Sequence, residues 1–176
     1  VQIMVFIPPF EVYNQIKTRF LELGTEAIPS LESAWESLAI DIDVQQKIED
    51  LIHQINFNST RKELKNWLEG DKENLLQGAI IVARYQYPDL DQEKIAQKMA
   101  QIRQDVWIEL NENLTPLEVT KVFNHVLFDV HGFSGNKKDF HAPQNSYINN
   151  VLDTSKGNPL SLSIIYAYLA QALDIP

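Results

Sequence analysis

Gly157-Asn158-Pro159-Leu160-Ser161-Leu162-Ser163-Ile164-Ile165-Tyr166 is the stretch on which the fold turns. Asparagine is a strong N-cap, and proline at the first helical position has no useful N–H to lose, so a helix follows. Leu162, Ile165, Tyr166, Leu169, Ala172 and Leu173 recur at steps that place them on one buried stripe. Leu160, Ile164 and Tyr168 add apolar groups on the remaining faces, the pattern of a helix enclosed on most sides. The helix start also gathers polarity. Its free backbone N–H groups and the side chains of Asn158 and Ser161 point at one place, where an anion or developing negative charge would be stabilised, although simple capping by Asn158 is the favoured reading.

Outward from this helix, His131 to Ser146 is not helical and has the length at which a connection is either functional or disordered. Phe133 and Phe140 predict that it is ordered. Pro143, Asn145 and Ser146 lead into a short helix over 147–152, with Asn145 or Ser146 as its cap. The turn Ser155-Lys156-Gly157 then returns the chain to the last helix.

Every earlier periodic stretch fits a helix as well. Thr115-Pro116 with Glu118 starts one with Val119, Val122, Phe123, Val126 and Leu127 on its face. A long one runs from Asp91 to about Leu110, and one from Leu75 carries Leu76, Ala79, Ile80 and Ala83 until Pro88 stops it. Thr60 followed by Glu63 has capping-box spacing and predicts a short helix ending at Gly70. Val44, Ile48, Leu51, Ile52 and Ile55 mark a third helix. Leu31, Ala34, Trp35 and Leu38 mark a second, and Val12, Ile16, Phe20 and Leu23 a first, stopped by Gly24. No stretch alternates with period two. The expected fold class is therefore all-α, with a helical N-terminal region over 1–72 and a second helical region over 73–176.

Composition narrows function without naming it. The 176 residues carry 15 Lys and Arg against 24 Asp and Glu, with 44% hydrophobic residues and no cysteine. Such a chain buries a core, has no thiolate for zinc or catalysis, and has no basic stripe to release counterions from a phosphate backbone. Nucleic acid and membrane are not expected partners, and the expected location is cytoplasmic. No glycine-rich phosphate loop is present. His125 and His131 are six apart and do not stack on one helix face, so neither a metal site nor a cofactor is expected. Ser161 and Ser163 are the weak nucleophile candidates, although neither lies in a Gly-x-Ser-x-Gly elbow. The candidate binding set is Asn145, Ser146, Gly157, Asn158, Pro159 and Ser161.

Four motifs together resemble a known family. Phe123-Asn124-His125-Val126-Leu127-Phe128 comes first, followed by Gly132-Phe133-x-Gly135-Asn136. Pro143-x-Asn145-Ser146-Tyr147-x-Asn149-x-Val151-Leu152 is the third, and Gly157-x-Pro159-x-Ser161-Leu162-Ser163-x-x-Tyr166 the fourth. They resemble the SirB-type transglutaminase-like proteins of bacteria, specifically over 123–176 and more softly back to Leu75. Leu23-Gly24-x-x-Ala27-Ile28-Pro29-x-Leu31 resembles one HEAT-like helix junction, present in a single copy. The transglutaminase-like resemblance implies a papain-like fold with a catalytic cysteine opening a core helix, followed by histidine and aspartate on strands. Here that opening carries Pro159, Leu160 and Ser161, and the histidine-bearing strand would lie after Pro176. With no initiator methionine, and an end as a helix finishes, the chain reads as a fragment of a longer polypeptide. The expected function is non-catalytic binding of a protein or peptide partner. The alternatives are a serine-dependent hydrolase or amide-transfer enzyme in the longer protein, and a helical scaffold without a pocket. The nearly all-apolar last helix predicts self-association through Ile164 and Tyr168.

Overall fold

A computed structural model describes residues 9–36 and 42–175. It divides into two compact units, Val1–Glu63 and Leu64–Pro176, the division falling within one long helix. Apart from one pair of two-residue strands, the regular structure of the described residues is helical.

The first unit holds α1 (Pro9–Leu23), a 3-10 turn at Gly24–Ala27, α2 (Ile28–Trp35) and most of α3 (Ile42–Glu69). Gly24 takes the left-handed conformation, φ +65°, that ends α1 without strain. A small core forms from Ala27, Leu31, Leu51 and Ile55, with Phe20, Leu21, Ile28, Ile48 and Ile52 packed against it. The rest of the expected α1 stripe is not covered: Val12, Ile16 and Leu23 are exposed, so Phe20 alone of that face reaches the core. Trp35 is 39% exposed, and its indole N–H donates to Glu49 rather than entering an apolar site. Leu38, expected on the same face, lies outside the described residues.

The short helix expected to begin at Thr60 does not begin there. α3 runs unbroken through Thr60 to Glu69. Asn56 to Thr60 are mediocre helix formers, but none is glycine or proline, and the cost of continuing is only tenths of a kcal/mol per residue. A capping-box spacing inside a helix has no orphan N–H groups to satisfy.

The second unit is built on α4 (Leu75–Gln86), α5 (Gln92–Glu109), α6 (Pro116–Asn124), α7 (Ile148–Thr154) and α8 (Pro159–Ala172). Its core contains Leu76, Ile80 and Ala83 from α4, Ile95, Met99, Ile102 and Val106 from α5, and Phe123 from α6. Val126, Leu127 and Phe133 from the segment after α6, and Ile148, Val151 and Leu152 of α7 with Ile165 and Leu169 of α8, complete it, each at or below 3% exposure. A buried side chain of this size contributes roughly 1.5–3 kcal/mol, so this unit is the stable frame for anything mounted on it. Asp91 caps α5, and Asn74 caps α4. Trp67 lies flat against Gly78, where a Cβ would come within 2.7 Å of the ring, and its indole N–H donates to the Asn74 carbonyl.

α6 does not stop as an α-helix. It passes into a π-helical segment, His125–Val130, in which the His131 N–H reaches back five residues to the Val126 carbonyl. Beyond it, β1 (Ser134–Gly135) pairs in parallel with β2 (Lys156–Gly157), in the register Ser134 to Lys156 and Gly135 to Gly157. Two residues are too few to show as an alternating pattern, which is why the sequence gives no sign of them. No helix among the described residues is long and apolar enough to cross a membrane.

Candidate functional site

The parallel pair brings the long loop against the start of α8. The Ser134 N–H donates to the Ser155 carbonyl, and the Asn136 N–H to the Gly157 carbonyl. Ser155 takes a left-handed conformation, φ 55°, that ends α7 and turns the chain into β2. α8 then opens as expected: the Asn158 side chain accepts from the Ser161 N–H at 2.8 Å, with Pro159 at the first helical position. The box closes reciprocally, because the Asn158 N–H donates to Ser161 Oγ at 3.1 Å.

Asn145 is the hub. It is 4% exposed and, with Ser161, one of two fully buried polar side chains among the described residues. Its amide donates to the carbonyls of Asp139 (2.8 Å) and Phe140 (3.2 Å), and its Oδ1 accepts from Asn136 Nδ2 at 2.9 Å. Its own carbonyl accepts from Ser161 Oγ at 2.7 Å and from the Asn158 N–H at 3.1 Å. Asn136 Oδ1 in turn accepts from the Asp139 N–H. These bonds satisfy a buried amide that would otherwise carry a desolvation penalty, and they hold the loop ordered.

This corrects the expected cap of α7. Asn145 and Ser146 lie in a 3-10 turn, Pro143–Ser146, and the N-cap of α7 is Tyr147, with no side-chain bond. The Asn145 side chain turns back into the loop instead. Ser146 Oγ accepts from Asn158 Nδ2 at 2.8 Å, so Asn158 caps its own helix with one amide atom and holds Ser146 with the other. Gly157 is buried where a Cβ would lie 2.6 Å from Ser161 Oγ and 3.1 Å from both Leu162 and Val151, so close approach requires glycine. Of the binding set, Asn145, Ser146, Gly157, Asn158 and Ser161 therefore converge, and Pro159 fixes the first turn.

The nucleophile candidates do not converge. Ser161 Oγ is occupied as donor by the Asn145 carbonyl and as acceptor by the Asn158 N–H. Ser163 is exposed and, two residues on, points from a different side of α8. Two of the four histidines are engaged elsewhere: His125 with Asp129 at 3.1 Å, and His131 Nε2 with Asp105 at 2.9 Å. The second pair spans 26 residues, which no local spacing could have shown, and the same carboxylate accepts from Gln101. Burial pushes the Tyr166 phenol up; its ring packs 5.2 Å from Phe123. Among the described residues no group of three or more His, Asp or Glu could hold a metal. A cleft of about 670 Å³ lies between α5 and the end of α8, lined by Arg103, Trp107 and Leu173 among others, and none of the candidate residues borders it.

Residues 93–176 match the family model of the transglutaminase-like superfamily. Among individual proteins, the chain is similar to a UPF0162 protein of Xylella fastidiosa (strain Temecula1). The two are 37% identical over 103 residues, which cover 58% of this chain and 36% of that protein. It is also similar to F-box only protein 21 of Mus musculus and of Homo sapiens, 36% identical over 59 residues, covering 34% of this chain and 9% of each of those proteins. The chain thus spans little more than a third of the bacterial relative and a far smaller share of the mammalian ones. No solved structure matches significantly.

Proposed function

We propose that this chain is a non-catalytic transglutaminase-like protein of the SirB type that binds a protein or peptide partner in the cytoplasm. The observation that carries this reading is the state of Ser161. In the resembled fold the nucleophile opens the core helix, and here that opening presents a hydroxyl 4% exposed, its proton donated to one carbonyl and one of its lone pairs engaged by a backbone N–H. A working nucleophile needs an accessible oxygen and a base within reach to take its proton. The absence of cysteine leaves no thiolate to replace it. The converged polar residues serve instead to hold an ordered loop in place, which is what a recognition surface on a stable frame requires. A net charge of -9 favours a protein partner over nucleic acid or an anionic membrane.

The test is turnover of activated acyl esters by the longest form of the protein, alongside Ser161→Ala and Ser163→Ala. No turnover above buffer is expected from any of the three. Turnover abolished by either substitution would overturn this reading in favour of a serine enzyme.

The same reading includes self-association through the last helix. Leu160 is 68% exposed, and Ile164 and Tyr168 keep part of their surface open. Light scattering should show a dimer or larger species that Ile164→Asp dissociates; a monomer unaltered by the substitution refutes it.

A further inference from the structure

We infer that the loop tip Lys137–His141 is the docking element for an acidic partner segment that carries an apolar side chain; this rests on the partner-binding reading and gives it a location and a chemistry. Two features mark the tip. It is held rigidly from beneath, and it presents an aromatic ring beside unpaired cations.

The rigidity comes from Asn145 and Asn136. Asn145 takes the carbonyls of Asp139 and Phe140, Asn136 takes the Asp139 N–H, and the Ala142 N–H closes the turn onto the Asp139 carbonyl. The buried polar joint is thereby spent on fixing the backbone of a segment whose side chains face water. Phe140 is 60% exposed, with the His141 ring edge-on at 5.2 Å. A partner that covers this ring need not first order the loop, and that saving is what converts buried area into affinity. Aromatic side chains on fixed backbone are the usual energetic anchors of protein interfaces.

The cations name the partner. Lys137 and Lys138 precede the ring, and Lys156 lies on the paired strand, its ammonium on Ser134 Oγ. None of the three joins an ion pair among the described residues, whereas Lys94 and Lys98 are both engaged by Asp153. Asp139 offsets one of the three charges, and the tip remains positive on a chain whose net charge is -9. Charge complementarity therefore selects carboxylates, and Phe140 selects an apolar group between them.

The experiment measures fluorescence anisotropy of a labelled short peptide of alternating Glu and Leu, with a Lys–Leu peptide and a thymidine oligonucleotide as counter-probes. The Glu–Leu peptide should bind, more weakly as salt rises. Phe140→Ala and the double variant Lys137→Glu/Lys138→Glu should each weaken it about tenfold. Lys121→Glu, an exposed cation on α6, should leave it unchanged. All these positions are exposed, and matching thermal melts confirm that each variant folds. An equal loss in Lys121→Glu, preference for the oligonucleotide, or no peptide binding would overturn the proposal. Binding that ignores the tip variants would overturn it too while leaving the partner-binding reading intact; ester turnover that depends on Ser161 would remove that reading whatever the peptides do.

Discussion

α6 and α8 begin with the same arrangement: an N-cap, a proline, and a residue three positions after the cap that reaches back to it, Thr115 with Glu118 and Asn158 with Ser161. At α6 the arrangement is solvated. The Thr115 N–H and hydroxyl both donate to the Glu118 carboxylate, at 2.8 and 2.7 Å, and nothing beyond the helix start takes part. At α8 the same geometry is buried at Ser161 and extended: Ser161 reaches the Asn145 carbonyl, and Asn158, half-buried, reaches Ser146. A cap in water stabilises one helix end. A cap whose reach-back residue is buried, once given a second set of partners, joins a distant loop to a helix.

The largest effect that would break this contrast is Asn145→Ala. It leaves Asn136 Nδ2 and the Phe140 carbonyl without their partner and the Asp139 carbonyl with only the Ala142 N–H, and an unfolding free energy lower by about 3 kcal/mol is expected in denaturant titration. Loss of amide protection over 136–142 should accompany it; an unchanged midpoint would show that the hub does not hold the loop. Gly157→Ala comes next. Its Cβ meets the Ser161 hydroxyl and two core side chains, and such overpacking costs about 2 kcal/mol. Thr115→Ala, at the solvated start, should cost about 1 kcal/mol or less and leave exchange in the long loop untouched.

The smallest effect is a pH dependence. Hydrogen bonds from the Thr115 hydroxyl, then from its backbone N–H, hold the Glu118 carboxyl below its ordinary value of 4.5. A lowered folded pKa means that the stabilisation is complete above 4.5 and is lost as pH falls through the folded value. Glu118→Gln should flatten the acid limb of the melting profile slightly, and a steeper limb would contradict the assignment.

The two starts also differ in how far sequence could show them. Both caps were legible, because cap, proline and reach-back residue are neighbours in the chain. The false start at Thr60 shows the limit of that signal: the spacing is right, but without a glycine or proline before it the preceding helix continues. What Asn145 does was not legible. Its partners are backbone carbonyls, which carry no residue identity, and the loop path that places them is set by a two-residue strand pair. His131 and Asp105 were hidden for a related reason, since only the packing of α5 brings them together. The helical frame, by contrast, follows from periodicity in α4, α5 and α8, where the apolar residues themselves do the packing.

The π-helical segment after α6 has a consequence of phase. An α-helix advances about 100° per residue, so accommodating one residue too many turns everything downstream by a comparable angle. In this chain the surplus lies between His125 and Val130, and His131 and Phe133 follow it directly. Those two meet Asp105 and the core because the helix loses count just before them. Deleting a single residue there would repair the helix and misdirect the loop, so the irregular turn sets the bearing from which the rest of the joint is laid out.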